Sequence, residues 1–190
     1  MNPMTEIIDN APIIVGIGQS VEQVPTDLVT AASHADMAGR AAQTALEDAG
    51  IPAETIEHIA CTRIFSDSNP AYTCPFGRAD NFPLAVASRI GASPVSSLYE
   101  TIGGQTPQTL VAECAKGLLS GAYDVAMIAG GEAIANMRAA QRAGAVLDWS
   151  EAQDNPVNDR GQFHGPMIFN GTDITHGMID PMMYYGLMET

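Results

Sequence analysis

Apolar residues in this chain fall into short unbroken runs and longer stretches of helical period, and the two kinds alternate along most of its length. Pro12-Ile-Ile-Val-Gly-Ile-Gly-Gln19 is rich in β-branched residues and predicts a buried strand. Ser33 with Asp36 gives a helix-start signal, and Met37, Ala38, Ala41, Ala42, Ala45, Leu46 and Ala49 mark an apolar face that ends at Gly50. Ile56-Glu-His-Ile-Ala-Cys-Thr-Arg-Ile64 predicts a second strand, followed by a long loop rich in Ser, Asn, Pro and Asp. A helix from about Pro83 to Ile90 then leads through Gly91 and Pro94 to a strand over Val95–Glu100.

The next stretch carries the candidate chemistry. Ser97-Leu-Tyr-Glu-Thr-Ile-Gly-Gly-Gln-Thr-Pro-Gln-Thr-Leu-Val111 reads as strand, glycine turn and helix start, with Thr106 as the cap and Pro107 at the first helical position. Leu110, Val111, Cys114, Ala115, Leu118 and Leu119 recur at the helical period, so the helix has a broad apolar face and is expected to be buried, ending at Gly121. Val125-Ala-Met-Ile-Ala-Gly-Gly-Glu-Ala133 follows as an apolar run of central-strand character. The order βαβαβαβ predicts an α/β fold with a mainly parallel sheet and right-handed crossovers.

A helix that starts after Gly103-Gly104-Gln105-Thr106 points free N–H groups and its positive dipole end above the turn, which suits a thioester oxyanion, a phosphate or a thiolate. The plain alternative is that Gly103 and Gly104 only let the chain reverse tightly. No cysteine or serine stands in the turn, and Cys114 lies about two turns into the helix.

In the stretches Thr101–Val111 and Ala129–Ala133 the chain resembles the thiolase superfamily, in particular thiolase-like proteins of the acetyl-CoA acetyltransferase kind, and the resemblance runs from about Pro12 to the last residue. It implies a thiolase-like N-terminal α/β half over residues 1–137 and the start of a covering loop domain over 138–190. It implies an acyltransferase acting on acetyl-CoA or another acyl-CoA, in lipid metabolism, with coenzyme A as substrate or ligand and no permanently bound cofactor. Thiolases place a nucleophilic cysteine at the start of this helix. Ile102-Gly103-Gly104-Gln105-Thr106 offers none, so that role passes to no residue here, and the pattern resembles a divergent branch that also lacks it. Thiolases continue with a second half that brings histidines and another cysteine, and the chain is therefore expected to be an N-terminal half or a truncated record. A non-catalytic binder of CoA or acyl groups, or a scaffold subunit, is the second functional class.

Composition narrows the partners. Eight Lys and Arg against 22 Asp and Glu give a net charge of −14, which argues against nucleic acid or an anionic membrane surface. Three cysteines with no metal-ligand spacing support neither a disulfide framework nor a zinc site. The chain shows neither a targeting segment nor an apolar run of spanning length, so a cytoplasmic location is expected.

Single residues are read both ways. Cys114 sits among apolar helix positions and reads as core; Cys61, late in a strand, reads as a small buried residue; Cys74, in the long loop, is the expected exposed thiol. Gly16-Ile-Gly18 is a weak partial dinucleotide pattern against a turn reading, and Glu132 is read as structural rather than as an acid catalyst. His34, His58, His164 and His176 are scattered. His58 reads as structural, whereas His164, in the covering segment, is a ligand candidate. Arg138 and Arg142, one helical turn apart, join Arg160 as candidates for the coenzyme's phosphates against a solvated-face alternative. Beyond Asp180-Pro181 a helix is expected with Met182, Met183, Tyr185, Leu187 and Met188 on it, an apolar stripe that needs covering. A homo-oligomer or a second-half chain is the expected partner, joined through the Val95–Glu100 strand edge.

Overall fold

The computed structural model describes residues 11–68, 73–161, 172, 175 and 176. Four strands form an all-parallel sheet in the order β3-β1-β2-β4, with β1 at His58–Thr62, β2 at Ser96–Glu100, β3 at Ala126–Ala129 and β4 at Asn158–Asp159. His58 stands opposite Ser96 on one side and Ala126 on the other. β4 pairs with the outer side of β2 through Leu98 and Tyr99. The parallel α/β arrangement expected from the sequence is therefore present, and β1 is its central strand.

Five helices accompany the strands among the described residues. They are α1 (His34–Ala49), α2 (Phe65–Ser68), α3 (Phe82–Ile90), α4 (Thr106–Ser120) and α5 (Ile134–Ala143). α1 starts in the capping box foreseen from Ser33 and Asp36: Asp36 N–H donates to Ser33 Oγ at 3.1 Å, and Ser33 N–H donates to Asp36 Oδ2 at 2.8 Å. Gly50, Gly91, Gly121 and Gly144 close α1, α3, α4 and α5 in the left-handed conformation, where a side chain would be strained.

Alternation along β1 sorts the core into two layers. Ile59 and Cys61 face α1 and α3, where Ala38, Ala42, Leu46, Phe82, Ala85, Val86 and Ile90 are buried. Ala60 faces the other way and packs with Leu98, Leu110 and Cys114 of the α4 layer. α4 is not the buried helix expected: only the stripe Thr106, Leu110 and Cys114 lies buried on the sheet, while Val111 and Leu119 keep 40% and 54% of their surface in solvent.

Other expectations at the level of the fold are corrected. Ile13–Ile17 is not a strand, and Ile13 is 76% exposed. The segment lies along the outside of α1 because Gly16 and Gly18 allow its backbone to approach the helix. A Cβ at Gly16 would stand 2.4 Å from Ala45 O, and one at Gly18 would stand 2.2 Å from Ala41 O. Ile17 N–H donates to Asp48 Oδ2 at 2.9 Å in place of a sheet partner. The Gly16-Ile-Gly18 pattern thus serves close packing on Ala41, Ala45 and Ala49. Second, Val95–Glu100 offers no open edge along Leu98–Tyr99, because β4 covers β2 there; among the described residues the uncovered sides belong to β3 and the two-residue β4, so the apolar run at Val125–Ala133 supplies an edge strand and not the central one expected.

Candidate functional site

The carboxyl ends of β1, β2 and β3 carry the polar groups that the strands themselves cannot hold. On β2, Thr101 N–H donates to Glu100 Oε1 at 2.9 Å, and the chain turns through Gly103, Gly104 and Gln105 into α4. Thr106 is the first helical residue rather than the cap. Its hydroxyl donates to Thr101 O at 2.9 Å, which ties the helix start back to the strand. No side chain caps α4; Thr106 N–H donates to Gly103 O and Thr109 N–H to Gln105 O, each at 3.1 Å, and Pro107 has no N–H, so the Gln108 N–H is what the helix start leaves for a ligand. A Cβ added at Gly104 would meet nothing within 4 Å, whereas one at Gly103 would stand 2.8 Å from the Gln105 amide.

Arg160 reaches this turn, but two carboxylates hold it: Glu100 Oε2 and Glu113 Oε2, each at 3.3 Å. Arg138 and Arg142 lie exposed on α5 and form no ion pair among the described residues. α5 packs against Leu28–Thr30 and sets Ala140 against Cys74 and Phe76, so the described contacts do not join these arginines to Arg160. His164 and Met182–Met188 lie outside the described residues. His58 is satisfied as expected, with Ser96 Oγ at 2.7 Å from Nδ1 and Tyr123 stacked on the ring at 4.6 Å. His176 N–H donates to Thr172 O at 3.1 Å.

A second polar cluster, which the sequence did not announce, gathers beside the ends of β1 and β3. Ile64 N–H donates to Tyr99 Oη at 3.1 Å, and the Tyr99 hydroxyl donates to Asp67 Oδ2 at 2.9 Å. The Arg63 guanidinium lies 4.3 Å over the Tyr99 ring and pairs with Asp159. Burial pushes Asp67 above the ordinary carboxylate range, against the opposing effects of Tyr99, Arg78 and Arg63. Glu132, at the end of the Gly130-Gly131 turn, accepts from Phe65 N–H at 2.6 Å and places Oε2 3.2 Å from His34 Nδ1. Ala133 N–H donates to the same Nδ1 at 2.9 Å. Burial opposes a charge on the His34 ring, but the Cys74 and Glu132 side chains beside it more than offset this and raise its pKa to about 9.

Cys74 is buried at 7% exposure, not the exposed thiol expected of a loop residue, because Phe76, Ala140 and Trp149 close around it. Cys61 and Cys114 are buried as expected, and burial pushes both thiols up. Cys114 therefore stands as core in α4. The signal for the second cluster was present but divided: the capping box fixes His34 at the first turn of α1, and the two glycines before Glu132 bring β3 close to that turn. A Cβ on Gly131 would stand 2.5 Å from Ala38 N.

No family model matches the sequence, and no curated protein matches it either. Among solved structures, the chain is similar to a monomeric SCP2-thiolase-like protein type 1 from Mycobacterium smegmatis, at 35% identity and a TM-score of 0.51. The chain has a thiolase-like fold. The match covers 64% of this chain and 24% of that protein, so the chain spans about a quarter of its length. In this thiolase-like frame the Gly103–Thr106 turn stands at the carboxyl edge of the sheet, where parallel α/β folds commonly gather ligands. Among the described residues no helix is long and apolar enough to cross a membrane. No group of three or more His, Cys, Asp or Glu among them could hold a metal ion.

Proposed function

We propose that this chain is an acyl-CoA acyltransferase-like protein that receives the thioester at the Gly103–Thr106 turn and forms no acyl-enzyme there. The observation that supports it is the uncapped N-terminus of α4 above an unfilled turn, in a chain 35% identical to a thiolase-like protein. The Gln108 N–H and the positive end of the α4 dipole favour a developing oxyanion. No thiol accompanies them, since Cys114 is in the packed stripe. The exposed Arg138 and Arg142 are assigned to the coenzyme's phosphates, with His164 as a further contact, and the setting is cytoplasmic. A non-catalytic CoA or acyl binder is the second reading, favoured by the absence of a nucleophile in the turn.

Titration calorimetry with acetyl-CoA tests binding. Gly104→Ala projects a methyl group into the turn and should weaken binding by about tenfold, about 1.4 kcal/mol, with folding unchanged; unaltered affinity would remove the turn from the site. Arg138→Ala with Arg142→Ala should weaken coenzyme A and acetyl-CoA alike. Mass spectrometry after incubation with acetyl-CoA should show no acetylated cysteine between Thr101 and Gly121. An adduct on Cys114 would overturn the proposal. Transfer of the acetyl group to an added acceptor separates the enzyme from the binder.

A further inference from the structure

The amino ends of β1 and β2 bring a hydroxyl to an imidazole. His58 and Ser96 stand opposite each other as the first residues of their strands, and Ser96 Oγ lies 2.7 Å from His58 Nδ1. Ser96 is exposed, so water alone could satisfy its hydroxyl, and burial does not force this bond. Tyr123 fixes the ring, stacked on it at 4.6 Å with the two planes 2° apart. Tyr123 is itself held. A Cβ on Gly117 would stand 2.1 Å from its Oη, and Asp124 N–H donates to Glu57 Oε2 at 2.5 Å, which ties this loop to the residue before His58. A hydroxyl within hydrogen-bond reach of a base, with the base oriented by a further group, is the arrangement that activates a nucleophile.

We infer that His58 and Ser96 form a nucleophilic site at which a small activated carboxylic ester acylates Ser96. With its own proton on Nε2, the ring accepts the Ser96 proton at Nδ1. Ser96 Oγ attacks the acyl carbon, so that the Oγ–C bond forms, and the bond from that carbon to the leaving oxygen then breaks. The leaving group departs as an anion with the electron pair of that bond. Nδ1 passes its proton to water and the ring returns to its starting state. Burial, and after it the charge of Arg160, hold His58 below the ordinary histidine range, so the ring is neutral and able to accept at pH 7.

The backbone selects the substrate. Ser96 N–H and Val95 N–H both donate to Glu57 O, at 3.3 and 3.0 Å, so neither is free to hold a developing oxyanion. Water must carry that charge, and the leaving group must depart without an acid. An activated ester meets both demands; a simple alkyl ester does not. The pair stands at the opposite ends of the strands from the Gly103–Thr106 turn, so this site is separate from the acyl-CoA reading and stands or falls without it. The titratable and charged groups about the ring are Tyr123 stacked on it, Glu57 and Asp124 on the adjoining strand entry and loop, and Arg160 past the end of β4.

The test treats the full chain with p-nitrophenyl acetate and follows the acetylation of each serine by peptide mass spectrometry. Ser120 is the internal control: it is exposed too, but its hydroxyl donates to Gly117 O at 2.9 Å and has no base beside it. Ser96 should be acetylated at least about a hundredfold faster than Ser120, the scale of general-base assistance. Its rate should stay nearly constant from about pH 7.5 to 9, where the ring is already unprotonated. His58→Gln should bring Ser96 down to the rate of Ser120 and make that rate climb with pH. Equal rates at Ser96 and Ser120, a Ser96 rate that His58→Gln leaves unchanged, or a wild-type rate that climbs about tenfold per pH unit would overturn the inference. Should His58→Gln fail to fold, the wild-type pH profile decides.

Discussion

A methyl group added at Gly131 meets the Ala38 backbone, whereas one at Gly104 enters open space. Gly131→Ala should therefore destabilise the chain by about 1–3 kcal/mol through overpacking, and Gly104→Ala should stay within about 0.5 kcal/mol, both read from urea midpoints. His34 carries a pH prediction. Its folded pKa, about 9, lies above the ordinary 6.5, so its contribution is complete below pH 6.5 and is lost as pH rises through 9. Unfolding free energy should fall across that window in the wild type, and the fall should flatten in His34→Asn; a rise would contradict the assignment. His34 and Glu132 lie on separate segments, and only the folded sheet brings them within 3.2 Å, so no local spacing could reveal the pair.

Helices α1, α3 and α4 and strands β1, β2 and β3 were legible because each rests on local chemistry: the Ser33–Asp36 box, Asn81 accepting from Leu84 N–H at 3.1 Å, glycine closures and apolar runs. Ile13–Ile17 was misread for a tertiary reason. Its β-branched run has strand propensity, but the small residues of α1 and the two glycines favour backbone against helix. β4 was illegible, since Asn158 and Asp159 have no strand pattern and are ordered by their pairing with Leu98 and Tyr99. At this scale Ser33→Ala should cost about 1 kcal/mol by uncapping α1, seen as a lower thermal midpoint. It should also change the titration of His34, which occupies the first position of that helix; an unchanged titration would mean that the cap does not position the ring.

For the molecule as a whole, Val111 and Leu119 on α4 and the outer side of β3, the longer of the two edge strands, remain uncovered among the described residues. Light scattering of the chain should give a mass above 19.9 kDa, and Ile128→Lys, a charge on the edge strand, should return it to that value. A wild-type particle of 19.9 kDa would rule the association out. The central place of β1 also sets an order of events during synthesis. Its partners Ser96 and Ala126 are made long after His58, so a growing chain carries Ile59, Ala60 and Cys61 with neither flank protected until the ribosome has passed both. A pause before Ala126 leaves the hydrophobic centre of the sheet half-dressed, and that nascent stretch is where a chaperone would find its grip.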